Sequence, residues 1–69
     1  MKVEIGQEKD GYHAKIAGHK NLYAFGYTRQ EALEELMGVV ESELADEEKI
    51  MRIERRIREE LIRLGGSHA

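Results

Sequence analysis

Asp10-Gly11-Tyr12-His13-Ala14-Lys15-Ile16-Ala17-Gly18, followed after three residues by Leu22-Tyr23-Ala24-Phe25-Gly26-Tyr27-Thr28-Arg29-Gln30-Glu31-Ala32-Leu33, decides the fold. Asp-Gly tolerates the backbone angles of a tight turn. After it, Tyr12, Ala14 and Ile16 share one face of a strand, with His13 and Lys15 on the other. Gly18-His19-Lys20-Asn21 is a looser turn, and Leu22 to Tyr27 reads as the next strand. Two short turns imply an antiparallel meander. Thr28-Arg29-Gln30-Glu31 is a capping box: the threonine hydroxyl takes a free amide at the helix start while the glutamate reaches back.

On the N-terminal side, Val3-Glu4-Ile5 alternates apolar and polar, as a half-buried strand does. Glu8-Lys9-Asp10-Gly11 joins it to the second strand. On the C-terminal side, a helix from Arg29 to Leu44 gathers Leu33, Leu36, Met37, Val40 and Leu44 on one side, with Glu31, Glu34, Glu35 and Glu41 opposite. Gly38 falls on the polar side, where it lowers helix propensity without opening the core. Ala45-Asp46 reads as a break, with Asp46 capping a second helix from Glu47 to Leu64 that Gly65-Gly66 ends. No Gly or Pro enforces the break, so one helix from Arg29 to Leu64 stays open as the alternative. The expected class is α+β: a three-stranded antiparallel sheet, one helix packed on it and a second C-terminal helix. The expected core is Val3, Ile5, Ile16, Leu33, Leu36, Met37 and Val40. Residues 1–45 form the βββα domain, 46–64 an amphipathic helix for oligomerisation, and 65–69 a flexible tail.

With 69 residues and no cysteine, the chain has neither disulfides nor a cysteine-ligated zinc to staple it. A chain this short buries only roughly 60% of its unfolded surface, so association with further copies is expected to supplement the core. Met1-Lys2-Val3-Glu4 does not read as a secretory signal, and no run approaches the length of a membrane span. A cytoplasmic protein is the expectation. Residues 1–46 hold five Lys/Arg against nine Asp/Glu, and residues 47–69 six against five. That acidic body disfavours nucleic acid, whose binding depends on neutralising phosphates, and suits a basic protein partner.

The strand containing Tyr12 and Ala14, the strand-ending Gly26, the Thr28 cap and the Glu31-Ala32 helix start together resemble the HicB-like antitoxin family. The resemblance implies three antiparallel strands with a helix across them, and capture of a small basic RNA-cleaving toxin. The family loop usually carries Pro-Gly-Cys where this chain has Lys20-Asn21-Leu22. The family also often adds a fourth strand and a DNA-binding segment, where Asp46 to Leu64 reads as one helix. Operator binding therefore does not carry over. The expected toxin contacts are Glu31, Glu34, Glu35 and the open sheet face. A self-associating adaptor without a toxin is the other reading.

Tyr23, Phe25 and Tyr27 alternate with Leu22, Ala24 and Gly26, and only one set can face the helix. The smaller set leaves room for Leu33 and Met37, so the aromatics are expected on the open face, as a protein interface. The opposite arrangement, aromatics in the core, stays open. Ile50, Ile53, Ile57, Leu61 and Leu64 form a stripe on the second helix. Burying each is worth about 1.5–3 kcal/mol, enough to drive a dimer or tetramer. Glu48/Arg52, Glu54/Arg58 and Glu59/Arg63 stand four apart in the order that favours ion pairs. Arg52, Arg55, Arg56 and Arg63 are interleaved with glutamates and read as a solvated face. His13, His19 and His68 lack metal-ligand spacing. Glu4, Glu8 and Asp10 bear on metal-dependent nuclease chemistry, but nothing pairs a nucleophile with a base. No catalytic residue, metal or cofactor is expected.

Overall fold

The computed structural model describes residues 1–65, in the order β1 (Val3–Glu8), β2 (Gly11–Ile16), β3 (Tyr23–Gly26), α1 (Arg29–Glu43) and α2 (Glu47–Arg63). The strands form one antiparallel sheet in the order β1-β2-β3, the expected α+β architecture. The register pairs Val3 with Ile16, Ile5 with Ala14, and Ala14 with Ala24. Paired residues share a face, so these make the inner face, and Glu4, His13, Lys15, Tyr23 and Phe25 make the outer one.

The inner face carries small and branched side chains because α1 lies on it. Ala14, Ile16, Leu22 and Ala24 are buried against Ala32, Leu33, Leu36 and Val40. Gly26 allows the closest approach. A Cβ there would stand 2.4 Å from the Ala32 amide nitrogen, a contact no relaxed backbone accommodates. Val3, Ile5 and Met37 are half-buried at the margin of this core.

The helical stretch divides where Asp46 predicts it. Leu44 leaves α1 with extended backbone (φ −112°, ψ 147°), and the Asp46 carboxylate accepts from the amides of Glu48 and Lys49 at 3.0 and 3.2 Å. This cap satisfies donors that a helix start otherwise leaves unpaired. The three-residue link lets α2 fold back on α1 and touch β1. Gly65 follows with positive φ (86°), the expected left-handed stop.

The fold-back corrects the oligomerisation stripe. Ile53 and Ile57 are 0% exposed and belong to the same core as the sheet, so neither is available to a second chain. Ile50 and Leu61 are half-buried against that core, while Leu64 stays exposed. An apolar stripe records only that something must cover it, and here α1 and β1 do so. The three expected i,i+4 ion pairs also give way. Among the described residues, Glu59 pairs with Arg56 at 3.1 Å and Arg63 with Glu60 at 3.6 Å. The tail expected over 65–69 lies outside the described residues from 66 onward, as does His68.

Candidate functional site

The register that builds the sheet also builds a cleft at one end of it. Glu8 opposite Gly11 closes the β1–β2 turn, and Tyr12 opposite Gly26 sets that turn beside the end of β3. The chain then turns through Tyr27 and Thr28 into α1. Glu8, Lys9, Asp10 and Gly11 line one side of the cleft, Glu31 and Glu35 another, and Phe25, Gly26 and Tyr27 lie between them. Its volume is about 520 Å³, within the range of ordinary ligand clefts.

The helix start fixes this geometry. Thr28 Oγ1 accepts from the Glu31 amide at 3.0 Å, and Glu31 Oε1 accepts from the Tyr27 amide at 2.7 Å. Glu31 therefore serves as a cap that holds Tyr27 in place, besides presenting negative charge. At the same helix start, the Arg29 guanidinium lies 4.9 Å from the centroid of the Tyr12 ring, a cation held on an aromatic face.

Of the six residues expected to meet a partner, Phe25, Tyr27, Glu31 and Glu35 come together at this cleft. Tyr23 stands outside it, on the outer sheet face. Its ring stacks on His13 at 5.9 Å and meets Phe25 edge-on at 5.4 Å. The aromatics face outward as expected: Tyr23, Phe25 and Tyr27 are 44%, 54% and 80% exposed. Glu34 is exposed elsewhere on α1 and accepts from the Gln30 side chain at 3.2 Å. The β1–β2 turn carries cleft residues, Glu8 and Asp10 among them, that the sequence weighed only as a turn or as candidate metal-binding carboxylates and not as partner contacts. The signal was available in the meander itself, since a hairpin turn and the exit of the third strand fall at the same end of such a sheet.

A second depression runs along the outer face beside Glu4, His13, Lys15, His19, Lys20 and Tyr23. Its charges compensate one another. Lys15 pairs with Glu4 at 3.7 Å, and His13 contacts the Glu8 carboxylate while its ring covers Gly6. Among the described residues, no three His, Asp or Glu side chains gather closely enough to hold a metal ion. No described helix is long and apolar enough to cross a membrane.

Compared with protein-family models, curated proteins and solved structures, the chain finds no significant match.

Proposed function

We propose that this chain is a non-catalytic binding module that captures a basic protein, as a HicB-like antitoxin or a remnant of one. The observation that carries the reading is the uncovered aromatic run Tyr23-Phe25-Tyr27 bordered by carboxylates, of which Asp10 and Glu35 enter no ion pair among the described residues. Exposed aromatic side chains are the usual anchors of protein interfaces, and the acidic border selects a partner of opposite charge. The βββα order with its Thr28 cap supports the family resemblance. The partner is a small basic RNA-cleaving toxin, met through the open sheet face and through Glu31, Glu34 and Glu35.

The test is growth rescue by co-expression with a short basic reading frame adjoining this one. Complementary charge mainly speeds association, and salt weakens it. Glu34→Lys with Glu35→Lys should therefore abolish rescue without unfolding the chain, because both side chains are exposed. Arg52→Ala with Arg56→Ala should leave rescue intact. Full rescue by the glutamate variant, with rescue lost in the arginine variant, would overturn the reading and favour RNA binding.

Self-association without a toxin is the second reading, favoured by Met51 and Ile62, which stay exposed on α2. At 100° per residue they stand about 20° apart around the helix, so they share a side.

A further inference from the structure

We infer that the cleft between the β1–β2 turn and α1 receives an arginine side chain of a basic polypeptide. The inference deepens the binding-module reading and rests on it for the identity of the partner, though not for the chemistry of the site.

Two features act together. Phe25 and Tyr27 expose aromatic surface in the cleft, and the negative faces of such rings attract a guanidinium. Carboxylates border that surface from the turn and from the helix, with Lys9 as the lining's one cation. They are not equally available. Glu8 contacts His13, and Glu31 holds the Tyr27 amide. Asp10 and Glu35 take part in no side-chain hydrogen bond or ion pair among the described residues, so their acceptor capacity is free for a visitor.

The spacing of the acids chooses among cations. A metal ion needs its ligands within about 2.6 Å of one point, and among the described residues no three acids converge in that way. A guanidinium is planar, carries five donors in a fixed fork and stacks on aromatic rings. It can therefore face Tyr27 while donating to acids on both sides of the cleft. A lysine ammonium is also drawn to the rings, but its compact charge cannot lie flat on one while forking to acids on both sides. The positive end of α1 is offset beside this ligand by the Glu31 carboxylate, which accepts from the Tyr27 amide just before the helix, while Thr28 Oγ1 accepts from the Glu31 amide.

The test is a titration of the full chain with acetyl-Gly-Arg-Gly-amide, followed by amide NMR shifts. Its citrulline counterpart, the same shape without charge, and its lysine counterpart serve as comparisons. The arginine peptide should shift Gly11, Gly26, Tyr27 and Glu31 in a saturable way. Citrulline should not shift them, and lysine should bind more weakly than arginine. Asp10→Asn and Glu35→Gln should each lower arginine affinity by about tenfold, the loss of one charge-assisted contact. Glu47→Gln, far along the chain on α2, should leave it unchanged.

Equal shifts with citrulline would overturn the site, as would shifts spread over the acidic surface. So would unchanged affinity in an Asp10→Asn, Glu35→Gln double variant whose spectrum is otherwise that of the folded protein. Arginine binding lost while growth rescue persists would refute this site and leave the binding module. Rescue absent while arginine binding persists would refute the toxin and leave the site.

Discussion

Glu54 is the residue at which the two helices disagree over charge. The Glu41 carboxyl, in hydrogen-bonding contact across the helix pair, raises Glu54 above its ordinary value of 4.5, burial raises it further, and Arg58 pulls weakly the other way. Glu54 Oε2 is buried without a hydrogen-bond partner among the described residues, so the charged form is the costlier one there. Because the folded-state value is raised, the native chain holds more protons than the unfolded one between 4.5 and that higher value. This contribution to stability is complete below pH 4.5 and is lost as pH rises through the folded value. Glu54→Gln keeps the shape and removes the charge. Its urea midpoint should match the parent's near pH 4, exceed it progressively as pH rises through the window, then hold a constant lead. A lead that is the same at pH 4 and pH 7 would show that ionisation plays no part.

At the scale of the element, α2 is divided between core and solvent. Ile57 is fully buried, whereas Ile62, five residues on, is exposed. Truncating a buried isoleucine costs both its transfer energy and a cavity, about 2–5 kcal/mol, while exposed positions change stability by about 0.5 kcal/mol or less. Ile57→Ala should therefore lower the urea midpoint sharply and Ile62→Ala hardly at all. Similar small effects from both would mean that α2 does not pack on α1 and β1 in solution.

For the whole molecule, the question is what covers the apolar surface that remains. Ile53 and Ile57 are satisfied inside one chain, which leaves Met51 and Ile62 as the shared side available to another copy. If the chain self-associates there, light scattering at high micromolar concentration should return a dimer or tetramer mass. Met51→Ser combined with Ile62→Ser should then return the monomer mass. A monomer in the parent protein would remove self-association and leave capture of a different protein as the surviving function.

The elements were legible because their causes are local. Alternation at Tyr12-Ala14-Ile16 sets a strand face, and the Thr28 hydroxyl and Asp46 carboxylate act within three residues. Volume favoured the outward set Tyr23, Phe25 and Tyr27, since Leu22 and Ala24 leave space for α1, and the burial of Leu22 and Ala24 chose it over the opposite arrangement. The sequence thereby set the strand order and the two helix caps, and named as partner contacts four residues that line the cleft, while the break between the helices stayed open until α2 was seen folded back. Tertiary structure alone decided two matters. Hydrophobic burial has no direction, so the stripe from Ile50 to Leu64 is the same pattern whether a second chain or α1 covers it. Likewise Asp10 and Glu35 lie 25 positions apart; the meander puts the turn and the helix start at one end of the sheet, but only the register, Tyr12 opposite Gly26, sets them on the sides of one cleft.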